Sequence, residues 1–332
     1  MRIGLDLYTI GHLGLSPFEA LDFASSNRLN GVQFLEPSAI APDLDPDRLR
    51  DVRRRADRLG LYVEVGLPSP NPFGGMSPPG APIDPEERAS WFRPHLEAVA
   101  ALGATHARAV VGNRHDRFRI DVPWARQLEA TSRTLLALRP LLRDLGLRIA
   151  IETHADLTCD EVLALVDAVG DDVLGVTLDT GNLPMRLDDP IEAADRLSPL
   201  VLMTHTKDAA LAFSPRGLLW QARPVGSGVI PVAEILELLR RRRPGLNLSI
   251  ELHPRTYDLP IFDPSWLASF PELRPSSLAA VVRLAVEGER RIVRGRMPGL
   301  AEVEQVPWPD RAADWIARSV AFLRSVVGRG GG

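Results

Sequence analysis

The sequence is poor in several things that would each have pointed elsewhere. It has one cysteine, Cys159, among 332 residues. A lone thiol excludes an intrachain disulfide and fits a reducing cytoplasm. Its place at the start of a helical run suits a structural role better than a nucleophilic one. There is no excess of positive charge. The net charge is −4, so no global field would draw the chain to nucleic acid. No run approaches the roughly 18 uncharged apolar residues of a membrane span. The N-terminus opens directly on MRIGLDLY, a strand pattern, without the basic and apolar segments of a secretory signal. No GxGxxG follows that first strand, which removes the main signature of a dinucleotide-binding sheet. A cytoplasmic protein with no nucleic-acid or membrane partner is expected.

What is present is an ordinary globular balance, 45% hydrophobic and 25% charged residues, arranged in a repeating order. Strand-like apolar runs fall at Ile3–Tyr8, Gly31–Leu35, Leu61–Val65, Ala107–Val111, Arg148–Glu152, Val173–Asp179, Leu200–His205 and Leu246–Glu251. Helical patterns separate them. Ser16-Pro17 opens the first as N-cap and first-turn proline, Pro46–Leu59 and Pro85–Leu102 follow, and a long one from about Val122 to Leu145 contains Pro140, where a kink is expected. Cys159–Val169, Pro190–Leu197 and Val232–Arg241 complete the alternation. Eight strands alternating with helices over about 250 residues predict a (β/α)8 TIM barrel.

A barrel over residues 1–296 is expected, followed by a C-terminal helical extension and tail over 297–332. The helix Leu278–Ile292 would close the barrel. The helix Arg311–Val327 carries Trp315, Ile316, Val320 and Leu323, an apolar face for the barrel or for a second subunit. The terminal GRGGG reads as a flexible end. The stretch 208–225, with Ser214-Pro215-Arg216-Gly217, reads as a linker, and the Pro- and Gly-rich residues 67–83 read as a loop at the site or on the surface.

The chemistry is carried by the strand ends. A strand buried on both faces has no reason to end in a charge, because an unpaired buried carboxylate costs several kcal/mol. Yet the runs IETH, TLDTGN, HTKD and IELHP place Glu152, Asp179, His205 and Glu251 at the ends of strands five to eight. In a (β/α)8 barrel these ends meet on the face where active sites form. Three carboxylates and an imidazole make an oxygen-dominated set for a divalent metal. Mn²⁺ is the first expectation, with Mg²⁺, Co²⁺ and Zn²⁺ also compatible. Without a cation the three carboxylates would repel one another. Residues two apart share a strand face, so His154, Lys207 and His253 are aimed at the same space.

The motifs IETH, GVTLDTGN, HTKD, VGSG and LSIELHP resemble the sugar phosphate isomerase/epimerase family, whose fold is the xylose isomerase-like TIM barrel, and the resemblance covers about residues 1–253. The resemblance implies that Glu152, Asp179, His205 and Glu251 are metal ligands. It also implies that Glu152 and Glu251 act as an acid/base pair on the carbon beside a carbonyl, through a metal-stabilised enediolate. The substrate would be a small carbohydrate and the reaction isomerisation or epimerisation. If a β-substituent leaves instead, the same enolate gives a lyase or dehydratase acting on a keto-sugar, keto-inositol or keto-glycoside. The ketose 3-epimerases carry a glutamate six residues after the first ligand and a histidine three after the aspartate. Thr158 and Asn182 stand there, which implies different substrate contacts.

His154, Asn182, Lys207 and Arg223 are the candidate substrate contacts. Arg108 reaches the pocket from below or forms an ion pair, and Glu36 and Glu64 are expected on the solvated rim. The VGSG glycines either admit a phosphate through backbone N–H groups or form a tight turn. The seven histidines are too scattered for a three-metal nuclease.

Overall fold

The computed structural model describes residues 1–328. The glycine-rich end expected to be flexible lies, from 329 onward, outside the described residues. The strands are β1 (Arg2–Asp6), β2 (Gly31–Phe34), β3 (Tyr62–Leu67), β4 (His106–Ala109), β5 (Arg148–Glu152), β6 (Leu174–Asp179), β7 (Val201–Thr206), β8 (Asp208–Ser214), β9 (Gly217–Arg223), β10 (Asn247–Ile250) and β11 (Thr256–Leu259). Eight of them close a parallel barrel in the order β1-β10-β7-β6-β5-β4-β3-β2. The predicted TIM barrel is therefore present. The helices between its strands are α1 (Pro17–Ser26), α2 (Pro46–Arg58), α3 (Pro85–Ala101), α4 (Trp124–Leu145), α5 (Cys159–Val169), α6 (Pro190–Leu197) and α7 (Val232–Arg242).

Local chemistry sets the helix starts. Ser16 and Glu19 form a reciprocal capping box at α1, and Thr158 and Glu161 form another at α5. Thr158 is thus occupied as a cap where the 3-epimerases carry a glutamate. The Cys159 thiol is buried in the first turn of α5, and burial pushes it up to about 12, which agrees with a structural role. Pro140 does not end α4, which runs on to Leu145.

Beneath the site the barrel is filled partly by polar groups. The Tyr62 ring lies so close to β1 and β2 that a Cβ at Gly4 would meet its hydroxyl at 2.1 Å and one at Gly31 would meet the ring at 2.3 Å. Its hydroxyl lies 3.0 Å from Ser249 Oγ, and Glu64 accepts hydrogen bonds from Ser249 Oγ at 3.0 Å and Asn247 Nδ2 at 2.8 Å. Glu64 is therefore not a rim carboxylate. β3 continues three residues beyond it, to Leu67, so its side chain belongs to a layer inside the barrel, and burial raises its pKa.

The linker expected after strand seven is also corrected. Residues 208–223 form the antiparallel hairpin β8–β9, turning between Ser214 and Gly217, and β11 joins it as the third strand. Trp220 at its centre is fully buried.

The C-terminal helices are α8 (Pro264–Leu267), α9 (Pro275–Val293), α10 (Leu300–Glu304) and α11 (Trp308–Gly328). The apolar face of α11 turns to the barrel. Trp315, Ile316, Val320 and Leu323 are buried in the common core, and the Trp308 indole donates to the Thr9 carbonyl at 3.2 Å. No helix among the described residues is long and apolar enough to cross a membrane.

Candidate metal centre

Around the barrel wall, Glu251 follows β10, His205 lies on β7, Asp179 ends β6 and Glu152 ends β5. The wall therefore presents these four side chains in that order, from neighbouring strands. Asp179 and His205 are direct register partners. One ligand atom from each of the four lies within 4.8 Å of all the others. Glu152, His205 and Glu251 open into a cavity of about 380 Å³, whose lining also includes Asp6, Tyr8, Arg108, His154, Asn182, Lys207 and His253.

His205 is clamped from both sides. Its Nδ1 lies 3.2 Å from Glu152 Oε1 and 3.1 Å from Glu251 Oε2. Its Nε2 lies 3.2 Å from Asp6 Oδ2, an atom with no other hydrogen-bond partner. The Gln33 amide also sits 2.6 Å from Nε2, and its Oε1 is otherwise unpaired. A ring N–H requires an acceptor there, so the amide is read with its oxygen toward the imidazole. Asp6 and Gln33 together hold the proton on Nε2, and Nδ1 faces Glu152 and Glu251. Burial lowers the ring's pKa, but these two carboxylates outweigh it and raise it well above the usual value, so a metal taken at Nδ1 would displace a proton.

Charge is distributed unequally. Lys207 Nζ lies 2.9 Å from Asp179 Oδ2 and 2.7 Å from Glu251 Oε2, and Arg108 Nη1 lies 2.6 Å from Glu152 Oε2. Burial raises the Glu152 carboxyl, but the charges of His205 and Arg108 outweigh it and hold it below the usual range. Burial likewise raises Glu251, and Lys207 and His205 bring it well below. Asp179 moves the other way. Burial is the largest effect, and with Glu251 and Glu152 nearby it is pushed up to about 7 despite Lys207.

These residues fit a divalent cation. Glu152, Asp179, His205 and Glu251 bring three carboxylates and one imidazole together, the oxygen-dominated donor set that divalent cations take. Glu251 Oε2, moreover, sits within ion-pair distance of Lys207 and His205 without an aligned hydrogen bond to either.

The other expected contacts fall into two groups. His154 lines the cavity with Nδ1 3.1 Å from the Gly112 carbonyl, and Asn182 lines it while donating from Nδ2 to Asp179 Oδ2 at 2.8 Å. Arg223 is not brought to the cavity. It is buried on the far side of the hairpin, and its Nη2 donates to the Pro298 carbonyl at 3.0 Å. The VGSG turn does not offer its N–H groups to a phosphate, because Asp208 accepts from Gly226 at 3.0 Å, Gly228 at 2.8 Å and Ile230 at 3.0 Å. The residues missed in the sequence are Asp6, Gln33, Tyr8, Arg114, Arg255 and Tyr257. Asp6 ends β1 in a carboxylate, the same signal that marked the ligands, but the first strand was taken on to Tyr8.

A closed barrel with convergent carboxylates and one imidazole at its strand ends offers a group of side chains that could hold a metal ion. The chain belongs to the xylose isomerase-like TIM barrel family, whose model matches residues 21–269. A curated relative, 3-oxo-isoapionate decarboxylase from Pectobacterium atrosepticum, is 24% identical over 215 residues, 64% of this chain and 69% of that one. A crystal structure of D-psicose 3-epimerase in the presence of D-fructose superposes with a TM-score of 0.62 at 17% identity, covering 99% of this chain and 100% of that one. The probable 3-DHS dehydratase of Bacillus anthracis superposes at 0.59 with 14% identity, covering 82% and 97%. At these identities the two structures establish the shared fold.

Proposed function

We propose that the protein is a divalent-metal-dependent isomerase or epimerase of a small sugar or sugar phosphate, working by proton abstraction next to a carbonyl. The observation that carries the proposal is the placement of Glu152 and Glu251 at the two ends of the four-ligand arc, each within 3.2 Å of His205 Nδ1. Glu152, Asp179, His205 and Glu251 would hold the cation, with Mn²⁺ the first to test. When bound, a divalent ion polarises the substrate carbonyl and offsets the charge of an enediolate. Glu152, kept ionised by Arg108 and His205, takes the proton from the carbon beside the carbonyl. Glu251, touching the Lys207 ammonium, returns one to the opposite face or to the neighbouring carbon. Asn182 steadies Asp179, and His154 contacts substrate hydroxyls.

A second reading keeps the same enolate but reaches it by loss of a carboxylate as CO₂, or passes through it to lose a β-substituent. The match to a 3-oxo-isoapionate decarboxylase favours it. The two separate in deuterated water with Mn²⁺-loaded protein and a panel of ketoses, sugar phosphates and 3-oxo sugar acids. Deuterium entering a carbon-bound position of a recovered sugar with no release of CO₂ and no loss of a substituent supports the first. Release of CO₂, or growth of enone absorbance with no exchange into any sugar, supports the second. In either case Glu152→Gln should lower turnover by about 10²–10⁴-fold, the span ordinarily supplied by a general acid or base, in samples whose Mn²⁺ occupancy is matched to the parent. Unchanged turnover in both Glu152→Gln and Glu251→Gln would rule out the acid/base pair.

A further inference from the structure

The centre of the cavity is acidic, but its mouth is not. Arg114, from the loop after β4, and Arg255, from the loop after β10, both line the cavity and are both exposed. Neither side chain is paired with a carboxylate among the described residues, in contrast to Arg108 and Lys207 deeper in. An exposed, unpaired arginine ordinarily samples many rotamers. These two are held in place. The Arg114 guanidinium lies 4.9 Å from the centre of the Tyr257 ring, and that of Arg255 lies 5.5 Å from the centre of the Tyr8 ring. Arg255 Nη1 also donates to the Tyr257 hydroxyl at 3.2 Å. Tyr257 is itself fixed. It stacks on the buried Trp220 with ring centres 5.5 Å apart, and the Trp220 indole donates to the Gly181 carbonyl at 2.8 Å. Arg114 thus packs on Tyr257, which the inserted sheet of β8, β9 and β11 carries, while Arg255 packs on Tyr8 and is tied to the same Tyr257 through its hydroxyl.

Stacking occupies the faces of a guanidinium and leaves its N–H edges free, the edges that match an oxyanion in a two-pronged contact. A neutral polyol would use few of these donors. We propose that Arg114 and Arg255 form an oxyanion clamp that takes the terminal carboxylate or phosphate of an acidic sugar while the carbonyl end lies at Glu152, Asp179, His205 and Glu251. The proposal rests on the reading of the site as one for sugars and deepens it by fixing the substrate class as anionic. It also gives the β8–β9 insertion a purpose, as the mount that presents Tyr257 to both arginines.

Titration calorimetry on Mn²⁺-loaded protein with three five-carbon probes tests the clamp: D-arabinonate, D-arabinitol 5-phosphate and neutral D-arabinitol. At least one anionic probe should bind about tenfold or more tightly than arabinitol, the range expected for a charge-assisted two-pronged contact. Whichever does so identifies the group as carboxylate or phosphate. The double variant Arg114→Met/Arg255→Met should remove that preference, bringing the favoured anionic probe to within about twofold of arabinitol, with the melting temperature recorded to show that the variant is folded. Equal binding of all three probes, or a preference that survives in the double variant, overturns the clamp. Mn²⁺ binding is measured separately on the same samples. A protein that binds no Mn²⁺ but still prefers the anions would sink the metal reading and keep the clamp.

Discussion

The Nε2 atom of His205 lies 3.2 Å from Oδ2 of Asp6, joining the seventh barrel strand to the first across the barrel interior. A carboxylate behind a ligating histidine fixes the tautomer and raises the basicity of the ring. Asp6→Asn keeps the shape but removes the charge. Mn²⁺ affinity should fall by about 10–100-fold, the cost usual for such a partner. Competition with a fluorescent chelator would measure it, and an affinity within twofold of the parent would show that Gln33 alone orients the ring.

Metal binding should depend on pH through Asp179. Its carboxyl is pushed up to about 7 by burial and by Glu251 and Glu152, so below that pH it must lose a proton before it can ligate. Affinity should therefore fall by about tenfold per pH unit below 7 and level off above it. Calorimetry in two buffers of different ionisation enthalpy should detect more proton release at pH 6 than at pH 8.5, the difference being the proton of Asp179.

Away from the site, His106 provides an acid sensor of stability. Burial, with Arg148 and Arg243 nearby, lowers it from 6.5 to about 4. The folded protein keeps this ring neutral where the unfolded chain protonates it, so stability is lost as pH falls from 6.5 toward 4. The loss reaches about 3 kcal/mol. His106→Gln should flatten that part of the urea-melt stability profile. A slope identical to the parent between pH 4 and 6.5 would place the acid sensitivity elsewhere.

The hairpin should be sensitive to one methyl group. A Cβ at Gly288 in α9 would sit 1.9 Å from the Leu211 carbonyl oxygen on β8. Neither neighbour is a flexible side-chain end, so backbone must move. Gly288→Ala should cost about 1–3 kcal/mol, the usual range for overpacking, outweighing the helix-propensity gain. Chemical melts would report the loss.

The ligand set was legible because charge at the end of a buried strand is an energetic contradiction that only a site resolves, and Glu152, Asp179, His205 and Glu251 each showed it. The same physics hid other parts. Asp208 begins β8 two residues after β7 ends, and Ser214–Gly217 are turn formers, so the stretch 208–225 reads as a linker rather than a hairpin. Glu64 looked like an end because the apolar run was cut short, although β3 continues to Leu67. Arg223 precedes a glycine-rich turn in sequence, but only the hairpin's twist decides that it points toward Pro298. Arg114 and Arg255 lie in loops, where no periodicity indicates direction.

The ring closes between β1 and β10, with Leu5 opposite Ile250. Contacts separated by most of the chain are slow to form, because a long loop must be closed before any of them is gained. Asp6 and Gln33 emerge early in synthesis, while Glu251 arrives only after three quarters of the polypeptide. The cluster of Glu152, Asp179, His205 and Glu251 therefore cannot exist in a half-made barrel, and if it takes a metal, uptake during refolding would time-stamp the moment at which the cylinder is sealed.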